Sequence, residues 1–249
     1  MKIIYEPKGP AKEYATLGLN LYKGCTHRCR YCYCAHVHHA DKDKYFASAQ
    51  PKENIVDRLK FDCEKLIEKY KAPKNVPEIL MSFQGDVYQP AEADLGITRL
   101  AIKVLIQHNL KFTILTKGGL EATRDFDLLS GYPHFRYGIS LSVIDEGWIR
   151  MYEPDAPGPI ERIISAKFAR KQHGIKTWCS LEPIIDLGQA LAILKTWHNS
   201  VDHWFLGKVN GSLSKNNIVN WGYTRNMLSG YLDSVGASYE IKSTLKKAI

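Results

Sequence analysis

The chain of 249 residues holds no apolar run near the roughly 20 residues that a membrane-spanning helix needs. Its opening, MKIIYEPKGP, lacks the apolar core of a secretory signal, so no export is expected. No internal repeat or low-complexity stretch stands out, which sets aside solenoid and disordered architectures. No motif of a DNA- or RNA-binding module accompanies the basic residues. Cysteine is sparse except in one place: of six, four fall between positions 25 and 34. That crowding is metal-like usage and argues against a disulfide framework. No second cysteine cluster follows. The net charge of +8 permits a polyanionic partner, and a solvated basic surface explains it equally well.

Short β-like runs alternate with helical ones. Strands are expected at 17–22, 79–83, 112–116, 137–142, 176–181 and 204–206. Helices are expected at 54–70, 91–108, 120–129, 159–173, 187–198 and 218–235, the fourth opening on Pro159. The tail, 238–249, can add a short strand or helix. Six βα units mean a parallel sheet with helices packed outside it, an α/β fold. In such folds chemistry gathers at the carboxyl ends of the strands. The unusual polar residues stand there: the cysteine loop, 84–86, 117–119, Ser142, Glu182 and 208–211.

The stretch 21–34, LYKGCTHRCRYCYC, carries the strongest signal. Cys25, Cys29 and Cys32 form a C-x3-C-x2-C triplet. Three such thiolates can hold three irons of a [4Fe–4S] cubane and leave the fourth iron without a protein thiolate, where four cysteines are the usual set. A zinc site is an alternative, with His27, His36, His38, His39 or Cys34 as fourth ligand, and structural or redox thiols are a third reading.

The triplet with Tyr31 before its last cysteine resembles the radical S-adenosylmethionine (radical SAM) superfamily. Tyr31-Cys32-Tyr33 is similar to the Y-C-Y of its spore photoproduct lyase-like branch. So is the arrangement Asp86-x-Tyr88-Gln89-Pro90-x-Glu92, Thr98-Arg99 and Thr116-Lys117, with SLEPI at 180–184 and GKVN at 207–210. The resemblance spans about 17–211. It implies a partial (β/α)6 TIM-type barrel at 17–235, with 1–16 as an N-terminal extension and 236–249 as a tail. It also implies a [4Fe–4S] cluster and S-adenosylmethionine (SAM) as cofactors. The implied activity is reductive cleavage of SAM to a 5′-deoxyadenosyl radical, which abstracts hydrogen from an unidentified substrate, nucleic acid or nucleotide-derived. A zinc-stabilised nucleic-acid-binding protein without catalysis is the alternative. One departure stands out: residues 81–86, MSFQGD, lack the hydrogen-donating cysteine of the lyase proper.

The resemblance assigns Cys25, Cys29 and Cys32 to the cluster. Tyr31 and Tyr33 flank it, and Gly85 allows close backbone approach. Asp86 is expected to accept from the SAM ammonium and Lys117 to neutralise its carboxylate. Ser140 and Ser142 share a strand face and can bind ribose or carboxylate. Glu182 can bind ribose hydroxyls or substrate, or pair with Arg162 or another cation; Lys208 and Asn210 are further cofactor-binding candidates. Cys34 and Tyr33 are the catalytic candidates, and Cys63 and Cys179 are the other thiols that can act. An oxygen-sensitive cluster implies a reducing compartment, hence the cytoplasm, and an electron donor such as a flavodoxin or ferredoxin.

Overall fold

The computed structural model describes residues 3–209 and 219–248. Eight strands among them form one sheet. They are β1 (Ile4–Tyr5), β2 (Leu17–Leu19), β5 (Ile79–Met81), β6 (Phe112–Thr116), β7 (Phe135–Ser140), β8 (Lys176–Ile184), β9 (His203–Lys208) and β10 (Tyr239–Ile241). Their spatial order follows the chain, β1-β2-β5-β6-β7-β8-β9-β10. A small separate ribbon pairs β3 (Tyr22–Lys23) with β4 (Gln50–Pro51) beside the cysteine loop. From β2 onward every pairing in the large sheet is parallel; β1 alone runs antiparallel, on β2.

Parallel strands are covered on both faces, which is why ILM, FTILT and WCSL read as nearly unbroken apolar runs. The larger core lies between the sheet and helices Ile55–Tyr70, Ile97–Gln107, Pro159–His173, Leu187–Trp197 and Trp221–Ser234. A second, smaller cluster joins Tyr14 and Ala15 to Leu80, Trp178 and Phe205. The Tyr14 ring lies 5.4 Å from Trp178 and 5.2 Å from Phe205, so a segment before the first parallel strand packs into the sheet's own surface.

The six expected βα units are present, with adjustments. The expected 17–22 strand is two: β2 ends at Leu19, and Tyr22–Lys23 leaves the sheet for β4. The helix expected at 91–108 breaks at Gly96 into Glu92–Leu95 and Ile97–Gln107, because Gly96 adopts a left-handed conformation (φ 61°). The 120–129 stretch is mostly a 3-10 helix, Gly119–Asp125, followed by one α turn, Phe126–Leu129. Strand β7 sits two residues earlier than expected, so Ser142 lies beyond it. Strand β8 runs on to Ile184 through an irregular register between Leu181 and Ile184, around Pro183, which has no N–H to give. The stretches read as extension and tail supply β1 and β10 and so belong to the sheet. Helix Glu146–Tyr152 was not expected.

Candidate active site

One cavity of about 560 Å³ opens at the carboxyl ends of the strands. Its wall includes Cys25, Cys29 and Cys32, together with Tyr31, Tyr33, Cys34, Gly85, Asp86, Lys117, Ser140, Glu182 and Lys208. The sequence candidates thus converge, with two exceptions. Ser142 is buried behind the wall, where its hydroxyl donates to Tyr31 Oη at 3.3 Å. It does not share a lining face with Ser140, because the strand ends between them. Asn210 falls outside the described residues.

The cysteine loop is shaped by backbone geometry. Gly24 takes φ 83°, and a Cβ there would lie 2.0 Å from the Ser48 carbonyl oxygen. Gly85 takes φ 90°, and its Cβ would lie 2.9 Å from the Gly24 carbonyl oxygen, so the two loops approach backbone to backbone. Cys25 N donates to Tyr45 O at 3.3 Å, Thr26 N to Gln89 Oε1 at 3.0 Å, and Cys32 N to Cys29 O at 3.0 Å.

The donor set bears on the two metal readings. Burial, as the first cause, pushes the Cys25 and Cys29 thiols up to about 12 each. Cys32 is raised too, first by its hydrogen bond with the Cys34 thiol and then by burial. Thiols so placed keep their protons at neutral pH unless a metal takes the proton's place. Among the described residues no three His, Cys, Asp or Glu side chains converge as ligands of a single ion. The zinc alternative therefore gains no support. A multi-iron cluster asks only that the three thiols face one cavity, each toward its own metal, and they do. His36 and His39 are exposed, and His38 stacks on Tyr45 at 5.5 Å. Cys63 and Cys179 are buried and do not line the cavity; Cys34 does, with its Sγ 3.7 Å from Phe83 O.

Asp86 is largely occupied by its own chain. Its Oδ1 accepts from Tyr88 N at 2.9 Å and Thr116 Oγ1 at 2.5 Å, and its Oδ2 from Lys117 N at 2.6 Å. It locks the end of β6 to the loop after β5. His27 Nδ1 lies 3.6 Å from Asp86 Oδ2, and burial lowers the pKa of this imidazole and keeps it neutral. Lys117 Nζ donates to Ser140 Oγ at 2.9 Å and lies 5.4 Å from the centre of the Tyr31 ring. Tyr33 is 53% exposed at the rim, and its hydroxyl donates to Phe83 O at 3.0 Å.

Sequence reasoning missed two groups. The first lies behind the cysteines. Glu153 and Arg162 are wholly buried, with Glu153 Oε2 2.7 Å from Arg162 Nη2. Tyr31 donates to Glu153 Oε1, and Lys117 Nζ stands 4.0 Å from that atom. Burial raises the Glu153 carboxyl, but Arg162, Lys117 and the Tyr31 hydroxyl together hold it below its ordinary range. The second group brings three distant segments together. Tyr14 donates to Glu182 Oε2 at 2.5 Å and lies 2.6 Å from Ser180 Oγ. Lys242 Nζ meets the same Glu182 oxygen at 2.5 Å and lies 3.9 Å from the centre of the Tyr14 ring. Of the cations expected as partners of Glu182, Arg162 belongs instead to Glu153, and the other cation is Lys242. The only signal for either group was the ionisable residues themselves; no local spacing marked them.

Residues 19–190 match the model of the Radical SAM superfamily, and the chain belongs to that superfamily. The superfamily implies SAM and an iron–sulfur cluster as cofactors. An uncharacterized protein of Methanocaldococcus jannaschii is 30% identical over 185 residues, which are 74% of this chain and 65% of that protein. An uncharacterized protein of Acidianus two-tailed virus is 29% identical over 196 residues, 74% of this chain and 61% of its own length. The chain therefore spans less than two thirds of either relative.

Among solved structures, a spore photoproduct lyase with bound SAM and dinucleoside spore photoproduct superposes with a TM-score of 0.71 at 13% identity. The match covers 94% of this chain and 78% of the lyase. Streptococcus suis SuiB bound to SAM gives 0.63 at 12% identity, covering 90% of this chain and 45% of SuiB. At these identities the likeness establishes the fold, a radical SAM partial barrel. Among the described residues no helix is long and apolar enough to cross a membrane.

Proposed function

We propose that this chain is a radical SAM enzyme whose Cys25, Cys29 and Cys32 hold a [4Fe–4S] cluster. The observation that carries the reading is the facing of these three thiols onto one cavity that also holds Lys117 and Ser140. When bound, the cluster supplies the electron that cleaves SAM to methionine and a 5′-deoxyadenosyl radical. Lys117, held by Ser140, neutralises the SAM carboxylate. Gly85 brings backbone close to the methionyl end, and Asp86 holds Lys117 N and the Gly85 loop in place more than it binds ligand itself. Tyr31 and Tyr33 border the adenosyl moiety, while Glu182 and Lys208 address ribose or substrate. Cys34, on the same cavity wall, is the candidate to return a hydrogen atom.

An external one-electron donor of the flavodoxin or ferredoxin type is required, and a reducing, cytoplasmic setting suits the cluster. A nucleic-acid or nucleotide-derived substrate is supported by the net charge of +8 and by Lys8 and Lys208 on the cavity wall. The solved neighbours hold different substrates, a dinucleoside photoproduct in the lyase and a precursor peptide in SuiB, so the shared fold does not choose between them. The test is anaerobic reconstitution with iron and sulfide. Brown protein with iron above three per chain, and dithionite-dependent release of 5′-deoxyadenosine from SAM, are expected. A colourless protein binding one zinc ion would overturn the reading.

A further inference from the structure

The cysteine loop does not stand free. Its residues 28–31 are fastened to the segment 152–155, which follows a helix that the sequence did not announce. Arg28 Nη2 donates to Asp155 Oδ1 at 3.0 Å, Arg30 N donates to Tyr152 O at 2.9 Å, and Tyr31 donates to Glu153. The Arg30 guanidinium lies 5.9 Å from the centre of the Tyr152 ring. Within this contact sit three fixed charges: Glu153 and Arg162, both wholly buried, and Lys117, whose side chain is 15% exposed. Buried Cys29 lies within the fastened stretch, between Arg28 and Arg30, and Lys117 lines the same cavity as the three thiols.

A stable surface needs none of this. A buried ion pair is often no better for stability than apolar packing of the same volume, so its placement asks for another reason. Charges in a low-dielectric interior act strongly over short distances, and net charge around an iron–sulfur cluster is one of the factors that set its reduction potential.

We propose that Glu153, Arg162 and Lys117 form a buried charge array that sets the reduction potential of the cluster held by Cys25, Cys29 and Cys32, with Glu153 lowering it and the two cations raising it. This rests on the cluster reading given above. The three are positioning residues in this role: they act through the cysteine loop. Glu153 does so twice, since the carboxylate that opposes electron uptake also receives the Tyr31 hydroxyl and so fixes the loop against it.

The test is an anaerobic redox titration of reconstituted protein, followed by EPR without SAM, because Lys117 is also assigned to SAM. Glu153→Gln keeps the side-chain shape and an acceptor for Tyr31 but removes the charge. At the wild-type midpoint its ratio of reduced to oxidised cluster is expected to rise about tenfold, a shift of about +59 mV for one electron. Lys117→Met is expected to move the ratio about tenfold the other way. A Glu153→Gln ratio within about twofold of wild type, or a shift toward the oxidised form, overturns the proposal. If Glu153→Gln retains no iron, Lys117→Met decides alone, and an unmoved or raised midpoint overturns it. Iron content separates the two readings: wild-type protein that takes up no iron ends the cluster reading itself, whereas full iron with unmoved midpoints ends only the charge array.

Discussion

Two parts of the same cavity are built in opposite ways. The cysteine part is contiguous: three thiols within eight residues, on a loop whose Gly24 meets Gly85 of the loop after β5 backbone to backbone. The part around Glu182 is assembled from afar, with Tyr14, Ser180, Glu182 and Lys242 brought from before the second strand, from β8 and from just after β10. The contrast teaches that a cofactor of fixed chemistry can be written as a local spacing. A polar wall whose members only need to meet in space leaves no such trace.

The comparison can be broken by variants in each part. Cys29→Ala is expected to abolish cluster retention and SAM cleavage, measured as iron content and 5′-deoxyadenosine; full iron in that variant would mean the triplet is not the ligand set. Lys242→Met should leave Glu182 as an uncompensated carboxylate, destabilising the fold by about 3–5 kcal/mol in urea unfolding, because the Lys242 side chain is 2% exposed. A loss under about 1 kcal/mol, the range of exposed pairs, would show that the wall is not cohesive.

Lys117→Met should weaken SAM binding by about 1.5–3 kcal/mol, the worth of a hydrogen bond to a charged group, read as roughly a tenfold to hundredfold rise in Kd by equilibrium dialysis. An unchanged Kd would remove Lys117 from the SAM site. Tyr14→Phe strips one hydroxyl from the Glu182 wall and should cost about 1–3 kcal/mol, with cluster content unaffected.

The smallest effect concerns acid. The folded Glu153 carboxyl titrates below its ordinary value of 4.5. A depressed carboxyl contributes stability that is complete above the unfolded value and is lost as pH falls through the folded one. Wild-type apoprotein should therefore lose more stability below pH 4.5 than Glu153→Gln, measured as the shift in urea midpoint between neutral and acid pH. Parallel losses would show that Glu153 is not held ionised.

The six βα units were legible because long apolar runs and amphipathic helices carry their own periodicity. Strand β1 was not, and for the tail only a short strand or helix without bounds was expected; two or three residues have no period, and what makes them strands is the neighbour they bond to. The shift of β7 to Phe135–Ser140 has the same origin: Phe135 and Arg136 pair with Phe112 and Thr113, and sheet register sets the boundary. Gly96 was visible in the sequence, but not that it would take a left-handed turn inside an otherwise helical pattern. In the site, the thiols and Lys117, expected at strand ends around one mouth, line one cavity. Asp86 was read as a ligand group because its position at a strand end is informative, whereas two of its three donors, Thr116 and Lys117, come from the end of β6, thirty residues on. Glu153 escaped because it has no local pattern, and Arg162 was given Glu182 as a possible partner because only tertiary packing shows it buried against Glu153.

The joining of Lys242 to Tyr14 and Glu182 has a consequence for biosynthesis. The thiols leave the ribosome more than two hundred residues before Lys242 does. A nascent chain therefore exposes its cysteine loop long before the wall around the cavity can be completed. The cavity wall is complete only once the carboxyl-terminal strand and its lysine have been made.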